Sequence, residues 1–122
     1  MATVLTNAGK AITTNRIKGS GTEPTFVAWG TGAGTAAITD TTLFTESAEA
    51  RVSGASTQQT TTTTNDTYQV VGTLTASAGR AITNAGLFDA AAVGNLYMKS
   101  DFAVINLLAG DAIQFTMRVA YA

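Results

Sequence analysis

Carboxylates are the main side chains of this sequence that could do acid–base chemistry, because the chain contains no cysteine and no histidine. Those two types supply the commonest catalytic nucleophile and base pairings and most transition-metal ligands. Glu46 and Glu49 are close in sequence, but in a strand they project to opposite faces. Asp89, Asp101 and Asp111 are typical of turn residues. The sequence therefore predicts that the protein is not an enzyme and needs no cofactor.

Neither a metal site nor a phosphate site is predicted. Calcium ligation by clustered aspartates stays an open alternative, although no EF-hand or repeat spacing supports it. Gly30, Gly32 and Gly34 form a G-x-G-x-G pattern after an apolar run. No lysine follows at the spacing that a phosphate-binding loop requires. We interpret these glycines as a flexible or tightly turning surface loop.

Four aromatic residues could stack on sugar rings, as in a carbohydrate-binding module. Trp29, Tyr68 and Tyr121 continue apolar registers, which favours core packing with a hydrogen-bonded tip. Tyr97 has Lys99 nearby, so we expect it on a wetter strand. The tract Thr60–Thr64 is interpreted as an exposed strand or sheet edge.

Charge is sparse and evenly spread. Charged residues make up 12% of the chain, and seven basic and eight acidic side chains give a net charge of −1. No basic cluster of the kind that binds nucleic acid is present. No apolar run reaches the roughly 20 residues that cross a membrane, and the N-terminus does not resemble a secretory signal. A surface with so little charge suits a subunit inside an assembly.

Periodicity predicts one helix followed by strands. Val4–Lys18 is the helix candidate, with Leu5, Ala8 and Ile12 on one face and Thr6 or Asn7 as its N-cap. Short apolar or alternating runs predict strands at 25–29, 41–53, 58–64, 68–78, 81–89 and 95–104, with turns at 65–66 and 91–95.

The last strand has the clearest pattern. Its odd-numbered residues alternate with polar or small ones, which predicts one buried face made of Ile113, Phe115, Met117, Val119 and Tyr121. Six to eight strands with one short N-terminal helix predict an all-β fold, an antiparallel β-sandwich or jelly roll. We expect a single domain over 1–122, in which 1–21 is the N-terminal segment with the helix.

Two stretches carry a family pattern. In 27–46, a hydrophobic strand leads to Gly-Thr-Gly, a small-residue loop, and then Asp-Thr-Thr-Leu and Glu. In 82–102, Gly-Leu-Phe-Asp-Ala is followed by Gly-Asn-Leu. Together with the final strand and the N-terminal Leu-Thr-Asn-Ala-Gly, this resembles the small β-rich virion structural proteins of tailed bacteriophages, over most of the chain.

Members of that group are described as capsid decoration (cement) proteins or as tail-fibre-like proteins. The resemblance implies a subunit that binds other virion proteins and has no catalytic residues. One compact domain without coiled-coil segments favours the cement role. The implied partners are the major capsid protein and further copies of the chain, as a homodimer or homotrimer, on the outer capsid surface after synthesis in the host cytoplasm. The alternative is a tail or tail-fibre-associated module that binds host carbohydrate.

Contact with the shell is expected to depend little on charge, because the charged residues are dispersed. The apolar N-terminal residues precede the predicted helix and could add to a partner's sheet edge. A glycine-rich loop allows close approach of a partner's backbone. The predicted partner-binding residues are therefore Ala2, Thr3, Val4, Leu5, Gly30, Gly32, Gly34 and Asp40.

Overall fold

The computed structural model describes residues 1–121 and confirms the predicted mainly-β fold with one short N-terminal helix. Eight strands form two antiparallel sheets. In chain order the elements are β1 (Thr3–Leu5), α1 (Asn7–Ile17), β2 (Phe26–Gly30), β3 (Val52–Ser53), β4 (Ala55–Gln59), β5 (Thr67–Thr75), β6 (Arg80–Phe88), β7 (Leu96–Leu107) and β8 (Ala112–Ala120).

The two sheets differ in width. The larger sheet has the strand order β1-β7-β6-β2-β3, and the smaller sheet has the order β4-β5-β8. The chain passes from one sheet to the other at Gly54, between β3 and β4. A Cβ atom at Gly54 would lie 2.5 Å from Cγ1 of Val70, so only glycine fits this crossing. The chain also crosses between the sheets from β5 to β6 and from β7 to β8. Gly54 thus links edge strands β3 and β4, while β1 and β8 are the opposite edge strands.

The core lies between the inner faces of the two sheets. Trp29 is 1% exposed and meets the ring of Phe115 edge-on, with 6.3 Å between centroids. This confirms the predicted burial of Trp29. Burial of such large aromatic side chains is the main favourable term in folding. The other buried members of this cluster include Val27, Val70, Leu74, Ile82, Leu87, Met98 and Met117.

The predicted helix is present, but it begins later than expected. Thr6 is the N-cap, and its hydroxyl oxygen accepts a hydrogen bond from the Gly9 amide at 2.9 Å. Residues 3–5 pair with β7 instead, so Leu5 does not lie on the helix face. The interpretation that these residues precede the first secondary element was therefore wrong. Gly9 is required by packing, since its Cβ would lie 2.1 Å from the carbonyl oxygen of Tyr97.

The strand predicted at 41–53 is wrong, because only Val52–Ser53 is a strand there. Residues 31–51, which we call the 31–51 connection, run across the outer face of the larger sheet without regular structure apart from one bridge to β2. Leu43 is buried there in a second apolar cluster with Ala28, Phe88 and Leu96. Apolar side chains covering a sheet give the same sequence signal as a strand.

The threonine-rich strand predicted at 58–64 is also misplaced. β4 ends at Gln59, and residues 60–65 form a loop. The carboxylate of Asp66 accepts hydrogen bonds from the backbone amides of Thr61, Thr62 and Thr63. These bonds compete with strand pairing and turn the backbone, as aspartate side chains often do.

The alternation predicted for the last strand is confirmed, although burial is less complete than expected. Met117 is buried, whereas Ile113, Phe115 and Val119 are partly buried against the core. Tyr121 lies beyond the end of β8 and is 51% exposed, so its predicted burial was wrong.

Replacing Phe115 with aspartate tests the register of β8. We expect Phe115→Asp to lower the free energy of unfolding by at least about 3 kcal/mol, because it removes the contact with Trp29 and directs an unpaired charge toward the core. Thr116→Asp on the exposed face is the matched control and should cost no more than about 1 kcal/mol. Urea denaturation measures both changes. Equal losses of unfolding free energy for the two variants would contradict the assignment of Phe115 to the buried face of β8.

Candidate binding surfaces

The two segments predicted to bind a partner converge on Asp101. The Ala2 amide donates to one carboxylate oxygen of Asp101 at 3.3 Å, and the Ala36 amide donates to the other at 2.7 Å. These hydrogen bonds, chiefly the one from Ala36, hold the pKa of Asp101 below its ordinary value. The Asn7 amide also donates to the Ile38 carbonyl at 2.8 Å. Asp101 lies within β7, so its predicted turn role was wrong.

A buried lysine fixes the neighbouring part of the 31–51 connection. Lys99 is 1% exposed, and its Nζ lies 3.0 Å from a carboxylate oxygen of Asp40 and 2.9 Å from the Thr42 carbonyl. Its ammonium group also lies 3.2 Å from the centre of the Phe44 ring. The hydrogen bond from the Ala37 amide and the contact with Lys99 lower the pKa of Asp40. Asp40 thus has an internal partner.

The wetter strand predicted around Tyr97 is wrong. Tyr97 is 3% exposed and Lys99 is 1% exposed. The helix covers Tyr97, because Gly9 packs directly on its backbone. The 31–51 connection covers Lys99. A strand with polar side chains can be buried when other elements supply their partners.

The three glycines serve packing within the chain. Gly30 belongs to β2 and is buried, and its Cβ would lie 2.5 Å from the Phe44 carbonyl oxygen. A Cβ at Gly32 would lie 2.8 Å from the Phe44 carbonyl carbon, and one at Gly34 would lie 2.6 Å from the Phe44 ring. Only Gly34 of the three is fully exposed. The predicted surface loop is therefore wrong for Gly30, which packs beneath the 31–51 connection.

Residues 2–4 and 33–39 together form what we call the N-terminal surface. It joins edge strand β1 to the part of the 31–51 connection that Asp101 and Asn7 hold beside it. Ile38 is 50% exposed on this surface. No side chain in these two ranges is charged. The structure thus brings the predicted N-terminal residues close to the loop, while Gly30 and Gly32 lie deeper.

Glu49 holds the far end of the 31–51 connection. Its carboxylate accepts hydrogen bonds from the Trp29 indole nitrogen at 3.0 Å and from the Arg80 Nε at 2.9 Å. The hydroxyls of Ser47 and Ser77 also donate to it. Burial by itself raises the pKa of Glu49, but these donors outweigh that effect and lower it overall. This arrangement satisfies a buried carboxylate and stabilises structure.

The other carboxylates also have structural partners. Glu46 forms a two-point ion pair with Arg51, at 2.8 and 2.9 Å. Asp89 accepts a hydrogen bond from the Asn95 amide at 2.7 Å, as predicted for a turn residue. Asp111 likewise accepts a hydrogen bond from the Leu108 amide at 2.8 Å, in the turn before β8. Glu46 and Glu49 do not lie in a strand, and their carboxylates bind different partners.

Three tyrosines meet at a pocket of about 260 Å³, here called the tyrosine pocket. The Tyr97 and Tyr121 hydroxyls lie 2.8 Å apart, and the Tyr68 hydroxyl donates to a carboxylate oxygen of Glu23 at 2.9 Å. Burial and the bond to Tyr121 raise the pKa of Tyr97. The remaining lining comes from the helix and the segment after it: Ile12, Thr13, Arg16, Ile17 and Pro24. The sequence indicated that these tyrosines are among the residues that could stack on a sugar, but it favoured core packing and did not predict the pocket.

Among residues 1–121, no three acidic side chains come together as a metal-binding group. The helix described there is too short to cross a membrane. Comparisons with protein-family models, curated proteins and solved structures gave no significant match.

Removing the charge of Glu49 should destabilise the fold in a pH-dependent way. Because its folded pKa is lowered, the stabilisation is complete above its ordinary pKa of 4.5 and is lost as the pH falls through the folded value. We expect Glu49→Gln to cost about 2 kcal/mol at pH 7, and less as the pH drops below 4.5.

Chemical denaturation at several pH values measures that difference. Glu46→Gln is the control, since its carboxylate is more exposed and its ion pair with Arg51 contributes about 1 kcal/mol or less. A Glu49→Gln cost that stays constant between pH 7 and pH 3 would contradict the role assigned to the charge.

Proposed function

We propose that this protein is a bacteriophage virion structural protein that binds the major capsid protein shell as a decoration (cement) subunit. The observation that supports the proposal is the N-terminal surface. Both segments expected to contact the shell are held by the same Asp101 carboxylate and so form one continuous surface. The family resemblance supplies the identity of the partner.

The chemistry of the N-terminal surface suits permanent contact with another protein. It has an exposed apolar side chain, Ile38, and no charged side chain. The Asp101 carboxylate accepts the Ala2 and Ala36 amides, and the neighbouring Lys99 and Asp40 are paired with each other. Protein interfaces are depleted in charge at their centres, and a stable one buries roughly 1,000 Å² or more. Contact through this surface would therefore resist moderate salt.

The proposal includes self-association as a dimer or trimer on the outer surface of the capsid. Low overall charge supports it, because copies repel one another weakly. Repeated sites on a symmetric shell favour closed rings of subunits. Stoichiometric co-purification with intact particles, at a fixed ratio to the major capsid protein, tests the proposal as a whole.

A charge placed on the N-terminal surface should weaken retention on particles. We expect Ile38→Asp to lower apparent affinity by about tenfold or more, because it removes an apolar contact and buries a charge against the partner. Val93→Asp is the matched control, since Val93 is 86% exposed in the turn before β7. Sedimentation of particles with each variant across a salt series gives the affinities. Equal losses, or release of wild type by moderate salt alone, would contradict the proposed surface.

The tyrosine pocket favours a second candidate, a host-binding module that takes carbohydrate. Its volume of about 260 Å³ fits one sugar ring. The walls combine aromatic rings with Glu23 and Arg16, which are groups that pack on a sugar and hydrogen-bond its hydroxyls. Trp29 takes no part, because it is buried in the core.

Titration calorimetry with a panel of bacterial surface glycans tests the second candidate. If it holds, at least one glycan binds, and Tyr121→Ala weakens that binding about tenfold through loss of stacking area. Tyr121→Phe is the control, since it keeps the ring and removes only the hydroxyl. Absence of binding to every glycan of the panel would contradict the carbohydrate-binding function and leave the decoration role as the proposed function.

A further inference from the structure

A groove opens between the two sheets where edge strands β1 and β8 lie. We call it the β1–β8 groove; its volume is about 390 Å³. The larger sheet supplies Thr3, Ser100 and Phe102, and the edge of β8 supplies Thr116 and Arg118. The smaller sheet is therefore too narrow to cover the inner face of the larger sheet at β7 and β1.

The β8 edge has the properties of a pairing site. All nine residues of β8 pair with β5 in one continuous register without a bulge. Alternate backbone amides and carbonyls of such an edge strand point away from its partner. Soluble proteins usually protect long edges with charges, proline or bulges. β8 carries a single charged side chain, Arg118.

Within residues 1–121, Arg118 is also the only residue with a charged side chain that lines the β1–β8 groove. Its Nε donates to the Gln69 side chain at 2.6 Å, and its two terminal nitrogens make no hydrogen bond within residues 1–121. A guanidinium group pairs most strongly with a carboxylate. The groove thus combines apolar side chains, an open backbone edge and one positively charged side chain.

We propose that the β1–β8 groove binds one extended segment of the shell protein, which adds to β8 as a fourth strand of the smaller sheet. The segment alternates apolar side chains, which face Phe102 and Met98, with polar ones, and it carries a carboxylate that pairs with Arg118. Strand addition gives affinity through backbone hydrogen bonds and specificity through alternate side chains. The identity of the source rests on the proposed function.

A single segment fits this groove better than the β8 strand of a second copy. The larger sheet forms the floor below the position of the fourth strand, through Met98, Ser100 and Phe102. A strand from a second copy would bring its own larger sheet into the same space. An extended segment without a backing sheet meets no such obstacle. The groove also adjoins the N-terminal surface, since Thr3 belongs to both.

A synthetic peptide tests the groove without any virion component. The probe is a nine-residue peptide of alternating threonine and valine that begins with threonine and has glutamate in place of the central threonine. The comparison peptide has lysine at that central position. We expect the glutamate peptide to bind at least about tenfold more tightly than the lysine peptide. In the Arg118→Glu variant this preference should reverse. Hydrogen exchange of the β8 backbone amides should slow when the glutamate peptide binds. Equal binding of both peptides, or unchanged amide exchange in β8 with the peptide bound, would overturn the proposal.

Two variants separate the groove from the rest of the fold. Thr3→Trp places a bulky uncharged side chain at the groove and should weaken the glutamate peptide's binding about tenfold by steric blocking. Thr57→Trp is the matched control on β4, the opposite edge of the smaller sheet, and should leave binding unchanged. Thermal unfolding of both variants confirms that they fold. Equal weakening by the two substitutions would count against the groove.

Amide exchange on particles then tests the source of the segment. When the protein is bound to particles, exchange at 113–119 should slow at least about tenfold, while exchange in β4 stays unchanged. Retention on particles without protection of β8 would overturn the proposal. Failure to bind particles at all would instead refute the proposed function, and the peptide measurements would still decide whether the groove takes a strand.

Discussion

The outer face of the larger sheet carries apolar side chains that a segment without regular structure has to cover: Ala28, Phe88 and Leu96. Such a segment cannot satisfy its own backbone polar groups, so buried side chains of the sheet do so. The Asn84 amide group bonds both the amide and the carbonyl of Phe44, each at 3.0 Å. Lys99 and Glu49 hold the segment on either side of this point. The 31–51 connection, the larger sheet beneath it and the N-terminal surface all depend on these polar contacts.

The strands with regular alternation could be predicted from the sequence, because their pattern reflects one buried face. β8 and the strand at 68–78 are examples, and the structure confirms both within a few residues. Prediction failed where a contact distant in sequence decides the local conformation. Leu43 resembles a strand residue, but it covers a sheet, and the polar groups around it are satisfied by Asn84. The threonines at 60–64 favour a strand by propensity, yet the Asp66 side chain turns the loop.

The candidate surfaces could be predicted only in part, because their composition is visible in the sequence and the contacts that assemble them are not. The low charge of residues 2–5 and of the loop is visible in the sequence, whereas their meeting at Asp101 requires β1 to pair with β7. One sequence feature did indicate the residues that hold these segments: Lys99 and Asp101 are two residues apart in a strand, so their side chains lie on the same face. The tyrosine pocket had no such signal, because Tyr68, Tyr97 and Tyr121 come from different parts of the chain.

The pairing of β1 with β7 also governs the order in which the molecule can be assembled. Thr3 pairs with Ser100, and the helix cap Thr6 bonds the carbonyl of Leu96. The N-terminal strand therefore has no partner until most of the chain has left the ribosome. Contacts between residues so far apart in sequence form slowly, since a long loop must close first. The N-terminal surface is consequently a product of completed folding, and a partly synthesised chain cannot present it.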